Sequence, residues 1–100
     1  MALKVVELPD EQRVVLTPAE NFDFSINRDF SVAYSGYARG KWRFTVDLSS
    51  IGYLDSTAIG MLLQLAGHAD GMGPVRVVNA PAGALELLGR IDAGAGIEFI

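Results

Sequence analysis

The stretch WRFTVDLSSIGYLDSTAIGMLLQLAGHA, residues 42–69, changes its hydrophobic period once, and that change decides the fold. WRFTVDL (42–48) predicts a central β-strand, with apolar residues expected on both of its faces around Phe44, Val46 and Leu48. AIGMLLQLAGHA (58–69) has helical spacing, and the glycines and proline of ADGMGP (69–74) end it. Between strand and helix lies YLDSTAIG (53–60), where an apolar run meets Asp55, Ser56 and Thr57. One acid and two hydroxyls at such a seam are ordinary helix-capping residues. They are also what a modifiable serine at a helix start would look like.

Outward from this seam the pattern stays regular. LKVVEL (3–8) and RVVLT (13–17) are short and rich in β-branched residues, and PDEQ (9–12) between them has turn chemistry, so the pair predicts a hairpin. PAENFD (18–23) reads as a loop. From Ser25, a plausible cap, Ile26, Phe30, Ala33, Tyr34 and Tyr37 recur at helical spacing until Gly40. VRVVN (75–79) predicts a strand, and PAGALELLGRI (81–91) a helix with proline in its first turn. DAGAG (92–96) reads as a loop and IEFI (97–100) as a last strand. The order β-β-α-β-α-β-α-β, in one domain over residues 1–100, predicts an α/β fold. Its mixed sheet has parallel central strands flanked by helices.

Connections beyond the carboxyl ends of parallel strands are where such folds place their function. Ser56 sits on one, after the strand ending near Leu48. Unpaired backbone N–H groups and the positive helix end would tolerate a phosphate there. The phosphate would still add about −1.5 to −2 charges and repel an acidic or apolar partner. In the helix that follows, Ile59, Leu62, Leu63, Ala66 and Ala69 form a stripe expected to face the sheet. Met61 is then expected to be exposed and Leu65 to lie at the border, both available as partner contacts. Gly60 leaves the first turn open to close approach.

Composition excludes several classes. Half of the 100 residues are hydrophobic and the net charge is −4, so general affinity for nucleic acid is not expected. No cysteine is present, which rules out disulfides and thiol catalysis. The first residues lack the apolar core of a signal peptide, and no apolar run reaches the roughly 18 residues of a membrane span. A cytoplasmic protein without membrane insertion is the expectation. Serine catalysis needs a base within about 3 Å. The single histidine, His68, is twelve residues from Ser56, roughly 18 Å along one helix. It reads as a solvated helix residue. DAGAG has no lysine and does not lead into a helix, so it is no phosphate cradle. No catalytic residue, metal site or cofactor is expected.

VDLSSIGYLDSTAIGMLLQLAGHA (46–69) closely resembles the central segment of STAS domains, the family named for sulfate transporters and anti-sigma factor antagonists. ENFDFS (20–25) resembles the family's earlier acidic loop, VRVVNAP (75–81) the following strand and turn, and GRIDAGAGIEFI (89–100) the terminal segment. The resemblance implies the mixed sheet already read from periodicity. For stand-alone bacterial members it also implies partner switching. The unphosphorylated protein binds an anti-sigma factor, often a serine protein kinase, which then releases its sigma factor. Phosphorylation of the motif serine, here Ser56, ends binding, and a serine phosphatase restores it. Asp23 and Asp55 match positions flanking the acceptor, with Thr57, Gly60, Met61 and Leu65 as candidate partner contacts beside it. The alternative is a STAS-like docking subunit of a transport complex, for example for lipids, or of a signalling complex, not gated by phosphorylation.

Overall fold

The computed structural model describes residues 2–92 and 94–100. Strands β1 (Leu3–Leu8) and β2 (Arg13–Pro18) form the expected antiparallel hairpin, with Leu8 opposite Arg13. A 3-10 turn over Pro9–Glu11 joins them, and Gln12 takes a left-handed conformation at φ 52° to reverse the chain. Then come β3 (Glu20–Phe22), α1 (Asn27–Ser35), β4 (Arg43–Asp47), β5 (Ile51–Leu54) and α2 (Thr57–Ala69). Strand β6 (Val75–Val78), helix α3 (Ala82–Leu88) and strand β7 (Ile97–Phe99) complete the order.

Five strands make the main sheet in the order β1-β2-β4-β6-β7, with β2, β4, β6 and β7 mutually parallel. The parallel strands step steadily in one direction, so right-handed crossovers place α1, α2 and α3 on one face. Phe44, Val46 and Leu48 therefore share that face and are buried, with Val14, Leu16, Val75 and Val77 beside them. The other side of β4 carries Arg43, Thr45 and Asp47, so the expectation of apolar residues on both faces is corrected. Strand β4 is central, but only one of its faces has helices to cover it. On the uncovered face the Arg13 guanidinium donates to the Thr45 hydroxyl at 2.9 Å and pairs with Glu11 at 3.3 Å.

Two short strands were not expected. β3 and β5 pair in parallel as a separate ladder, with Phe22 opposite Leu54. They prolong the β2–β4 pair after a break, because β3 follows β2 and β5 follows β4. Residues 18–23 are therefore not simply a loop. Helix α1 ends at Ser35, earlier than Gly40, and Pro81 caps α3 from outside instead of occupying its first turn. The predicted loop at 92–96 includes Ala93, which lies outside the described residues.

Helix α2 is rotated from the expected phase. Its buried stripe is Ala58, Met61, Leu62, Leu65 and Ala69, and Leu63 is 42 % exposed. Met61 is 4 % exposed and Leu65 fully buried, so neither is an exposed or border contact. The helix is apolar nearly all round, and packing against both the sheet and α1 selects the face that spacing alone leaves open. His68 is also corrected. Its Nε2 lies 2.7 Å from the Tyr37 carbonyl, and its ring packs 5.1 Å from that of Tyr34, tying the ends of α1 and α2 together. Leu65→Ala should cost about 2–5 kcal/mol in urea unfolding, the range for a buried leucine deletion. An exposed border residue would cost far less.

Candidate functional site

Because Phe22 and Leu54 are opposite each other, the residues that follow them leave the ladder in step. Asp23 follows one and Asp55 the other, and the two make the same turn. Asp55 Oδ1 accepts from the Thr57 N–H at 3.0 Å and from the Thr57 hydroxyl at 2.5 Å. Asp23 Oδ1 accepts from the Ser25 N–H at 2.9 Å and from the Ser25 hydroxyl at 2.5 Å. A short acidic side chain that reaches two residues ahead is the usual way to close such a turn. One turn opens the 3-10 segment Phe24–Ile26 ahead of α1, and the other opens α2.

The seam is thus capped by its acid. Ser56 has helical dihedrals (φ −65°, ψ −17°) and makes no side-chain capping bond, so it is effectively the first helical residue. Its side chain is exposed, and so are Thr57 and Gly60, while Asp55 is half-buried. Thr57 is committed to Asp55, and the Ser56 hydroxyl is not. The expectation of unpaired N–H groups around Ser56 is corrected. Thr57 N–H is taken by the Asp55 side chain, Ala58 N–H by the Asp55 carbonyl and Ile59 N–H by the Ser56 carbonyl. A group added to Ser56 would point to solvent without a ready cradle of backbone donors. A Cβ at Gly60 would meet no atom within 4 Å, so internal packing does not require glycine there.

A third aspartate supports the seam from the main sheet. Asp47, at the carboxyl end of β4, accepts from the Ser49 N–H at 3.0 Å and the Asn79 amide at 3.1 Å. Asn79 is held at φ 58°, just past the end of β6. Asp47 thereby joins the β4–β5 connection to the β6–α3 turn. Partial burial works to raise its pKa, but Asn79, the Ser49 N–H and hydroxyl, and the positive Lys4 outweigh it. The carboxyl is held below its ordinary value. The acidic strand end of VDLS was the only sequence signal for this residue, and nothing pointed to Asn79. Beside the seam, Tyr53, Leu54, Pro81, Ala84 and Leu87 help line an open hollow of about 310 Å³ between β5 and α3.

The expected site residues divide accordingly. Asp23, Asp55, Ser56, Thr57 and Gly60 come together at the ends of β3 and β5, while Met61 and Leu65 go into the core. Among the described residues no group of three potential metal ligands occurs, and no helix is long and apolar enough to cross a membrane.

Known proteins agree with this architecture. The family model described as "Mlab, STAS domain" matches residues 7–97. A STAS-domain containing protein of Pseudomonas aeruginosa (strain UCBPP-PA14) is 41 % identical over 71 residues, covering 71 % of this chain and 70 % of that protein. This chain belongs to the STAS domain family. The solved structure of the anti-sigma factor antagonist SpoIIAA in its unphosphorylated form superposes with a TM-score of 0.63 at 16 % identity. The match covers 92 % of this chain and 89 % of SpoIIAA, and it shows the same fold.

Two outcomes test the geometry. Ser56→Ala should change stability by less than about 0.5 kcal/mol, as an uninvolved surface residue does. Asp55→Ala should cost about 0.5–2 kcal/mol, the range for a lost cap, and chemical denaturation of the pair compares them directly. Asp47 gives a pH signature. A folded-state pKa below the unfolded one means the unfolded chain binds more protons, so its contribution is present above about pH 4. That contribution is lost as pH falls through the lowered folded value. Asp47→Asn should therefore be less stable than wild type at pH 7, with the gap closing on acidification, in thermal melts from pH 7 to 3.

Proposed function

We propose that this chain is an anti-sigma factor antagonist that works by partner switching in the bacterial cytoplasm. With a free Ser56 hydroxyl it binds an anti-sigma factor that is also a serine kinase. Phosphorylation of Ser56 ends the complex, and a serine phosphatase restores it. The domain is a binding protein in this reading and carries out no chemistry of its own.

The observation that supports the reading is the division of labour at the seam. Asp55 closes the turn, Thr57 is engaged by it, and Ser56 is exposed with no capping duty. A serine needed only as a cap would show the reverse. With the first N–H groups already occupied, a phosphate on Ser56 is left as a hydrated dianion on the docking surface. Bringing that group against a partner costs desolvation of its charge, which is enough to reject binding.

Mass spectrometry of the protein from its own cells, growing and stressed, tests this directly. The expected result is a phosphate on Ser56 whose occupancy changes with condition. Ser56→Ala should bind the kinase constitutively, and Ser56→Asp at least tenfold more weakly by calorimetry. Equal affinities, together with an unmodified Ser56 in every condition, would sink the switch. They would favour a constitutive docking subunit of a transport complex.

A further inference from the structure

Phe24 is 70 % exposed, although Phe22 and Phe30 on either side of it in sequence are buried. Single exposed apolar residues are common, so exposure alone decides nothing. Its place in the fold does. Phe24 follows Asp23 as Ser56 follows Asp55, in two turns closed by the same pair of hydrogen bonds. The turns leave adjacent strands at matched register, and paired strands lie about 5 Å apart. Phe24 and Ser56 therefore occupy equivalent positions on neighbouring turns. Asp23 holds the Phe24 turn rigid, so a partner would pay little ordering cost to engage the ring.

We infer that Phe24 is the aromatic anchor of the surface that Ser56 gates, filling an apolar socket on the serine kinase. The inference rests on the proposed function and adds which residue of this chain carries the affinity. Charge assigns the socket's rim. The segment 20–29 that carries Phe24 is acidic on balance, with Glu20, Asp23 and Asp29 against Arg28 as its one basic residue. The rim facing them carries Lys or Arg. On the α2 side Ser56, Thr57 and Gly60 are exposed and uncharged while Asp55 is half-buried and engaged by Thr57, so the socket floor facing them is uncharged. A phosphate on Ser56 would have to be stripped of water against that floor, so it bars the ring from its socket. Aromatic anchors surrounded by neutral contacts are the usual form of an interface hot spot.

The test is calorimetry of the full chain against each anti-sigma factor serine kinase encoded in the source genome. Ser56→Ala is the reference. Adding Phe24→Ala should weaken binding at least tenfold while leaving the thermal midpoint unchanged. Phe24→Tyr, which keeps the ring but carries a hydroxyl to the socket floor, should fall between the two. Affinity unchanged by Phe24→Ala, with Ser56→Ala still bound, would overturn the anchor and leave the switch standing. If neither wild type nor Ser56→Ala binds any of these kinases, the proposed function itself fails and the anchor fails with it.

Discussion

The parallel pairing of β3 with β5 is the constraint on which the rest of the site depends. Neither strand exceeds four residues, and each exists because the other is beside it. Isolated strands so short have no stability in water. These two inherit their alignment from β2 and β4, which run parallel immediately before them. The pairing delivers two chains in step to the same edge, where each meets an aspartate. Two turns closed by the same pair of hydrogen bonds follow, one leading through a 3-10 segment into α1 and the other directly into α2. The seam is half of a matched pair.

This arrangement separates roles that the sequence runs together. Asp55, Ser56 and Thr57 all favour helix starts, and local preference ranks them nearly equally. In the folded chain Asp55 accepts both available hydrogen bonds from Thr57 and leaves Ser56 with helical dihedrals and no capping bond. Stability is therefore assigned to the acid, and the hydroxyl is left without a capping role. Asp47 backs the arrangement from beneath by tying the connection before β5 to the turn after β6. The same residue makes the region sensitive to acid, because the bonds it accepts favour its charged form.

Helix α2 shows where periodicity stops being informative. Ile59, Leu62, Leu63, Ala66 and Ala69 form an acceptable apolar stripe, and so do Ala58, Met61, Leu62, Leu65 and Ala69. The two differ by a rotation of roughly 80° about the axis, at 3.6 residues per turn. The sheet and α1 press on the helix from two directions, and His68 reaches back to the Tyr37 carbonyl at 2.7 Å. These contacts choose the second stripe, bury Met61 and leave Leu63 in solvent.

The sequence by itself determined the number and order of the main strands and helices, the parallel centre of the sheet and the seam at residues 55–57. Each of these rests on local pattern: β-branched alternation, helical spacing, turn residues and capping chemistry. The tertiary structure alone decided four matters. It paired ENF (20–22) with IGYL (51–54), whose strand character comes from a partner 31 or 32 residues away and not from their own composition. It chose the buried face of α2 and showed that β4 is covered on one side only. It set the turns after Phe22 and Leu54 at matched register, since segments distant in the chain become neighbours only through strand pairing. And it released Ser56 from capping, because which of three competent neighbours takes a hydrogen bond depends on the angle at which the strand enters the helix.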